Sequence, residues 1–462
     1  MALKQSIERA SLAASAGLIP HYLAFYLVGS PLWTETISEW IMANTPSRYA
    51  VPLLTTLGPW AKPFAVTGAL AILGFVIFVL LPLRWAGPIL AAALLGWLFG
   101  YTSLIGQFTF WLPVLWVVTR SPQPAPTGRR DFLTSAVMTL GTFSVAVESY
   151  LRDAALARRA VTPVSLFPFT PPAERFFPAL VRKAVTPVEQ FYGMSKNTVD
   201  PATNPETWRL KITENGRLLR QFTYRELLSL PRTERYITLR CVSNTLKSDL
   251  MGTAAWSGIH LSQLADRAAL SPGIVETAII GVDGHGDSLR LDYAFGDETI
   301  LALGMNGKTL DRVHGFPIRL LVPRYYGFKN VKWISEIAFV STPYFGTWPK
   351  LGYTKEPTVH TASHIDKMHH TGWSLEAGGV SFAGTRGIKA VRVRTGQGPW
   401  VDATLDKKLS PFCWTRWAVE LPGPQAGQIE AQAMDGEGHW QESVEGPLFP
   451  TGVTGPTIRS LG

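Results

Sequence analysis

The segment that decides the fold is YITLRCVSN at residues 236–244, where a run of β-forming residues ends in polar residues around a cysteine. Cys241 is one of only two cysteines, and the other, Cys413, is distant in sequence. Two such cysteines do not make a disulfide framework, and the chain has no Cys-x-x-Cys pair that would indicate zinc or thiol redox chemistry. By itself, Cys241 is either an inert core residue or a metal ligand. The residues around it provide the evidence that distinguishes these two roles.

Composition points to a chain with a membrane part. The 462 residues suffice for about three domains. Hydrophobic residues make up 46% and charged residues 17%, which is few charges for a wholly soluble protein, and the apolar excess lies in the first 150 residues. The net charge of +9 comes from scattered basic residues, many of them beside apolar segments. We therefore expect the positive charge to reflect the orientation of membrane spans and the binding of an anionic cofactor. We do not expect a nucleic acid partner.

Residues 1–150 are predicted to form an α-helical membrane bundle with about five spans, since a span needs about 20 apolar residues. The spans are expected at about residues 10–30, 63–83, 86–102, 104–119 and 132–147. With the N-terminus inside, most flanking basic residues lie on the cytoplasmic side, as the positive-inside rule requires. His21 is the only histidine in this region, so a haem held between two histidines is not expected. The fifth span would place the rest of the chain on the extracytoplasmic, periplasmic side.

Two adjacent arginines precede the fifth predicted span. The segment TGRRDFLT at residues 127–134 resembles the twin-arginine export signal, which is read by a translocase that moves folded, cofactor-loaded proteins. The alternative is an ordinary pair of positive-inside arginines. The export interpretation predicts that the outer part of the chain folds around its cofactor in the cytoplasm.

The remaining chain divides by composition. Residues 151–188 are rich in proline and are predicted to be a linker over the membrane surface or the next domain. Residues 189–345 mix short strand and helix patterns, which is typical of an α+β domain. A connector at 346–375 leads to a strand-and-turn pattern at 376–462, which fits an all-β sandwich of the immunoglobulin-like kind. The strands predicted most directly are 208–213, 279–282, 389–394 and 428–434, and the helices are 224–229 and 261–269.

Three ordered motifs carry a family resemblance. They are FYGMSKN at 191–197, LRCVSN at 239–244 with LMGTAAWSGI at 250–259, and HGFPIRLLVP at 314–323 with YGFKNVKW at 326–333. The chain resembles the sulfite oxidase family of molybdopterin-dependent oxidoreductases over about residues 186–345. The β-rich tail more weakly resembles that family's immunoglobulin-like dimerisation domain, which allows a homodimer through this domain.

The resemblance implies a cofactor and its ligands. Cys241 would be the only protein ligand of a molybdenum ion held by one molybdopterin, whose dithiolene supplies two further sulfurs; a soft thiolate suits such a metal. Arg240 and Lys247 would act beside Cys241 in catalysis. The expected cofactor-binding residues are Tyr192, Ser195, Lys196, Asn197, Cys241, Ser243, Asn244, His314, Arg319, Lys329, Asn330, Val331 and Lys332. The cations among them suit the pterin phosphate.

Several of these residues also have an ordinary structural interpretation. Arg319 and Lys332 would suit the solvated face of a strand, His314 a turn, Asn244 a turn cap and Tyr192 the core. The segment DGHGD at 283–287 combines carboxylates with a histidine, but its glycines fit a plain turn better than a metal site. Cys413 is assigned no chemistry.

The substrate is left open by two departures from the family pattern. Sulfite oxidases carry arginines a few residues after the metal cysteine, where this chain has Thr245-Leu246-Lys247. They also carry a tyrosine shortly before the Asn-Gly pair that stands here at 306–307, where residues 301–305 have none. The expected reaction is oxygen-atom transfer of the sulfite oxidase kind, with an unidentified electron-transfer partner. The alternatives are a reductase of methionine sulfoxide or of another S- or N-oxide, and a membrane-tethered binding protein without activity. A transporter is not favoured, because the spans contain no charged residue and no repeat.

Overall fold

The computed structural model describes residues 162–461 except 198–199, 247–248 and 424–426, together with Ile37, Phe75, Leu90, Trp111 and Val114. No helix within this described part is long and apolar enough to cross a membrane. The predicted spans and the twin-arginine segment lie outside the described residues and stay predictions. Internal contacts separate two units, one made of Ala160–Met194 and Asp200–Gly462, the other of Met1–Arg159 and Ser195–Val199.

One mixed and one antiparallel sheet build the first domain of the larger unit. Its strands are β1 (Arg209–Glu214), β2 (Arg217–Thr223), β3 (Thr233–Arg240), β4 (Met251–Ile259), β5 (Glu276–Gly281), β6 (Gly286–Arg290), β7 (Ile300–Met305), β8 (Lys308–Thr309), β9 (Arg319–Leu321) and β10 (Ile334–Val340). The sheets have the orders β2-β1-β10-β5-β6 and β3-β4-β7-β8, and β9 pairs with β7. Helices α1 (Tyr224–Ser229) and α2 (Leu291–Ala294) and four 3-10 turns, Val188–Gln190, Leu261–Gln263, Arg267–Ala269 and Gly327–Lys329, complete the expected α+β domain.

Local signals explain where these elements begin and end. Helix α1 starts at a capping box, in which Thr223 accepts from the backbone N–H of Glu226 and the Glu226 side chain accepts from Thr223. All nine residues of β4 are buried, which suits its apolar and small composition. The single helix expected at 261–269 is instead two 3-10 turns. The Asp266 carboxylate accepts from the N–H of Ala268, a local bond that competes with a continuous helix.

The second domain is a β-sandwich. Its strands are β11 (Ala362–His370), β12 (Ser374–Phe382), β13 (Ile388–Thr395), β14 (Val401–Asp402), β15 (Thr404–Leu405), β16 (Thr415–Pro422), β17 (Gln428–Asp435) and β18 (Thr457–Ser460). Helix α3 (Thr347–Lys350) precedes it, and a 3-10 turn at Gly384–Arg386 joins β12 to β13. The sheet orders are β11-β12-β16-β15 and β14-β13-β17-β18, and residues of both sheets share one core, among them Leu375, Val391, Trp417 and Ala431.

The sandwich begins earlier than the sequence predicted. Strand β11 lies within residues 346–375, which were interpreted as a connector. Only its first four residues are buried, and its second half is polar and largely exposed, so the strand alternation is weak in the sequence. The proline-rich segment before the first domain packs on that domain: Ser165 pairs with Lys308, and the N–H of Leu166 donates to the carbonyl of Gly307.

A loop of the sandwich extends the sheet at the edge strand β3. The Ser410 hydroxyl donates to the carbonyl of Tyr236, and the N–H of Thr238 donates to the carbonyl of Phe412. The N–H of Trp414 in turn donates to the Thr238 hydroxyl at 2.8 Å. The second domain therefore supports the strand that ends immediately before Cys241.

Candidate active site

Cys241 lies at the start of a closed loop after β3. Its N–H donates to the carbonyl of Leu250 at 2.9 Å, and its carbonyl accepts from the N–H of Asn244 at 3.1 Å. The Asn244 side chain accepts from the N–H of Leu250 at 2.8 Å. Asn244 therefore holds the turn closed, which agrees with its interpretation as a turn cap. By closing the turn, it also positions the cysteine.

The Cys241 thiol is buried among donors. Burial raises the pKa of this thiol, while the N–H groups of Ser243 and Val242, the Ser243 hydroxyl and the charge of Arg240 act in the opposite direction. Such donors favour the thiolate, which is the form that binds metals. The predicted residue Ser243 therefore lies next to the sulfur.

The 3-10 turn Gly327–Lys329 brings the third motif against the cysteine. A Cβ atom added to Gly327 would lie 2.8 Å from the Tyr192 hydroxyl, 3.4 Å from the carbonyl of Arg240 and 3.6 Å from Cα of Cys241. Burial raises the pKa of Tyr192, the charge of Cys241 acts the same way and Arg319 opposes both. Tyr192, Cys241 and Gly327 thus lie together, although they come from three separate motifs.

Arg319 is a buried cation that donates to backbone carbonyls. Its Nη1 donates to the carbonyl of His314 at 3.1 Å and its Nη2 to that of Asn330 at 3.4 Å, and its guanidinium lies over the ring of Trp256. Among the residues that the structure describes, Nε has no hydrogen-bond partner and no carboxylate lies within ion-pair distance of this arginine, although the charge of Asp311 attracts it from further away. Burial lowers its pKa to about 10. A buried guanidinium of this kind fits an anionic ligand, so the solvated interpretation of Arg319 is wrong.

Arg240 is even more deeply buried, with 1% of its surface exposed. Its Nη1 donates to the carbonyl of His360 at 3.1 Å and its Nη2 to that of Asn244 at 3.5 Å, and its guanidinium lies 5.6 Å from the ring centre of Tyr326. The side chain thus joins the cysteine loop to the segment before β11. Its catalytic role stays a prediction, as does that of Lys247, which lies outside the described residues.

His314 contacts protein groups through both ring nitrogens. Nδ1 lies 2.8 Å from the Asp311 carboxylate and Nε2 lies 3.3 Å from the carbonyl of Phe191. Burial acts to raise the pKa of Asp311, but the hydrogen bonds from the side chain and the N–H of His314 and the charges of His314 and Lys332 together outweigh it, so the pKa is lowered. The ring is buried, edge-on to Phe191, so the structure joins the third motif to the first through this histidine.

Four predicted residues after Gly327 shape the third motif. The Lys329 amine forms an ion pair with Asp287, and the Asn330 side chain accepts from the N–H of Val322 and donates to the carbonyl of Tyr326. The carbonyl of Val331 accepts from the N–H of Leu320, and the Lys332 amine donates to the carbonyl of Val313 and lies over the ring of Trp333. The contacts named here join these side chains to protein groups, so their contact with a cofactor stays a prediction.

Three predicted residues belong to the other unit. Within the segment Ser195–Val199, the Ser195 hydroxyl donates to the carbonyl of Asn197 at 3.3 Å and the Lys196 amine donates to the Asn197 side chain at 3.0 Å. Their role towards a cofactor stays a prediction.

Other residues at the site were not predicted. Burial, and then the charge of Cys241, raises the pKa of Tyr353 to about 12, which places this tyrosine near the thiol. Asp287 and His285 contact the third motif from a segment that was interpreted as a plain turn. That turn is present, since Gly284 has a φ of +73° between β5 and β6. The sequence shows no spacing signal for these contacts, because they form only when separate strands pack.

Comparison with known proteins identifies the domain. Residues 197–348 match the family model of the oxidoreductase molybdopterin binding domain. The chain is 26% identical to human mitochondrial sulfite oxidase over 306 residues, covering 54% of this chain and 56% of that protein. It is 34% identical over 185 residues to the protein-methionine-sulfoxide reductase catalytic subunit MsrP of Gluconobacter oxydans, covering 35% of this chain and 57% of that one.

A solved structure supports the same fold. The sulfane dehydrogenase SoxCD from Paracoccus pantotrophus matches with a TM-score of 0.51 at 20% identity, covering 56% of this chain and 75% of that chain. The chain spans a little over half the length of the sulfite oxidase and the reductase. Residues 197–348 therefore match a molybdopterin-binding oxidoreductase domain, and molybdenum–molybdopterin is the cofactor that this match indicates.

The residues present fit that cofactor. A buried thiol surrounded by donors suits a metal, and a buried guanidinium with an orphaned Nε suits a phosphate. Cys241 would hold the metal, Arg319 the anionic end of the pterin, and Tyr192 with Gly327 would form the wall beside the sulfur.

Proposed function

We propose that the protein is a membrane-anchored molybdenum-cofactor oxidoreductase of the sulfite oxidase family that catalyses oxygen-atom transfer. The observation that carries this proposal is the convergence of Cys241, Tyr192 and Gly327, with the buried Arg319, whose Nε has no hydrogen-bond partner among the described residues, in the same domain. When bound, the cofactor supplies a metal that exchanges an oxygen atom with the substrate while it changes oxidation state. The protein supplies the thiolate, a buried cation and a site shielded from water.

A reductase of methionine sulfoxide or another S- or N-oxide is the second candidate. It is supported by the 34% identity to the reductase subunit and by Thr245-Leu246, which stand where sulfite oxidases carry substrate-binding arginines. In addition, β7 places Leu303, fully buried, in the segment where those enzymes have a tyrosine. An anionic substrate such as sulfite would favour cations at 245–246, whereas a neutral sulfoxide would not need them.

The test is a comparison of both reaction directions on the full chain, purified from cells that make the cofactor. We expect molybdenum and pterin near one per chain. Sulfite oxidation is measured with an artificial electron acceptor, and reduction of methionine sulfoxide, dimethyl sulfoxide and trimethylamine N-oxide with a reduced viologen dye. Turnover in either direction supports oxygen-atom transfer and selects the substrate class. A chain without metal and pterin would contradict the proposal and favour a binding protein.

We further propose that residues 1–150 anchor the enzyme and that its catalytic domain faces the extracytoplasmic side. The support is the sequence alone: long uncharged stretches, basic residues on one side and the paired Arg129 and Arg130. A reporter that is active only outside the cytoplasm, fused after residue 160, should be active. Replacing both arginines by lysine should reduce export if the pair is a translocase signal. Activity of a cytoplasm-only reporter at the same position would contradict the proposed topology.

A further inference from the structure

A buried ion pair lies behind the motif that contacts the cysteine. The Lys329 amine is 2.7 Å from Asp287 Oδ1, and both side chains are only 2% exposed. The same amine donates to the carbonyl of Ser288 at 2.6 Å, and Asp287 Oδ1 also accepts from the N–H of Ser288. Asp287 and Ser288 belong to β6, outside the three cofactor motifs.

A second contact joins the same two segments. Nε2 of His285 lies 3.1 Å from the carbonyl of Phe328, the residue before Lys329. The segment His285–Ser288 therefore holds two consecutive residues of the 3-10 turn Gly327–Lys329. The opposite end of that turn is Gly327, which packs against Cys241 and Tyr192. The turn thus lies between the β5–β6 hairpin and the cysteine.

A turn of this length depends on its attachments. Short 3-10 helices have poor hydrogen-bond geometry and do not hold a position by themselves. A buried ion pair contributes little net stability, because the loss of hydration offsets the attraction, but it specifies one arrangement of its partners. The pair is therefore better explained by the position it imposes on Gly327–Lys329 than by stability.

We propose that Lys329 and Asp287 are positioning residues, which together with His285 hold the turn Gly327–Lys329 against Cys241 and so set the orientation and shielding of its sulfur. The proposal rests on the proposed function for its catalytic consequence, but the shielding of the thiol is a property of the protein alone. Lys329 then acts through Asp287, and not by binding the pterin phosphate.

The first experiment needs no cofactor. Protein is prepared from cells that cannot make molybdopterin, and the rate at which a maleimide labels Cys241 is followed by mass spectrometry. We expect Lys329→Met and Asp287→Asn each to raise this rate at least about tenfold at a temperature where the protein is folded. The double variant Lys329→Met/Asp287→Leu leaves no uncompensated charge, so its melting temperature should recover while labelling stays fast.

The matched control is an exposed ion pair next to the same hairpin. Arg290 and Asp292 are 2.9 Å apart and about half exposed, and Arg290→Met/Asp292→Asn should leave labelling unchanged. In cofactor-loaded protein, the Lys329 and Asp287 variants should lower kcat more than they raise KM and should broaden the Mo(V) EPR signal. Where a single variant does not fold, the double variant supplies the comparison.

Two outcomes would overturn the proposal. If the variants are less stable but keep the labelling rate and the EPR signal of the parent protein, the ion pair only stabilises the fold and does not position the turn. Loss of pterin in Lys329→Met but not in Asp287→Asn would show that Lys329 contacts the cofactor directly. A parent protein that never acquires molybdenum would refute the proposed function instead, and the labelling result would still decide the positioning role.

Discussion

Replacement of Cys241 by serine is expected to abolish oxygen-atom transfer while the protein keeps its fold and its pterin. The substitution removes the only protein sulfur from the metal. The serine hydroxyl is far less acidic than a thiol, and its oxygen is a harder ligand than a thiolate sulfur. Changes to residues behind a metal ligand typically cost about 10–100-fold, and loss of the ligand itself should exceed about 100-fold. Activity, metal and pterin content and the Mo(V) EPR signal are measured on the same preparation.

Cys413→Ser is the matched control. Cys413 is also a buried free thiol, but it lies in the sandwich, where its Sγ is 3.3 Å from the Ser410 hydroxyl. Burial raises its pKa to about 12, so it is a neutral core group. We expect parental activity and EPR signals from this variant. Equal activity of Cys241→Ser and the parent would remove Cys241 from the catalytic centre.

Arg319→Met is expected to have opposite effects on cofactor binding and on the stability of the cofactor-free protein. A hydrogen bond to a charged group contributes about 1.5–3 kcal/mol, so loss of two such bonds to a phosphate should weaken pterin binding about 100-fold or more. Without the cofactor, Arg319 is a buried charge with no carboxylate partner among the described residues, and its desolvation costs on the order of several kcal/mol. Removing the guanidinium leaves the carbonyls of His314 and Asn330 without these donors. Each unsatisfied carbonyl lowers the stability of the fold by about 1–3 kcal/mol at most.

We therefore expect the cofactor-free Arg319→Met protein to melt no lower than the cofactor-free parent, although it retains little pterin from cells that make the cofactor. Arg225→Met is the control, since that side chain is exposed on α1 and should change neither quantity. Calorimetry of the cofactor-free proteins and pterin analysis of the loaded ones separate the two effects. A full complement of pterin in Arg319→Met would exclude this residue from the cofactor site.

The sequence alone predicted much of the fold, because local signals were strong. Helix α1 agrees residue for residue with its prediction, since its capping box is readable in the chain. The strands expected at 389–394 and 428–434 lie within β13 and β17, each followed by the predicted turn. Strand β11 was missed because its polar second half faces solvent, and the helix at 261–269 was wrong because Asp266 closes a local turn.

The sequence by itself determined the class of domain, since Cys241, Arg319 and Gly327 lie in motifs that match a molybdopterin-binding family. Only the tertiary structure decided what each polar side chain contacts. Lys329 pairs with Asp287, and His314 Nε2 lies beside the carbonyl of Phe191. The physical reason is that a buried charge or ring nitrogen must find a partner, and in this packed domain the partner can come from a strand distant in sequence, where no spacing rule records it.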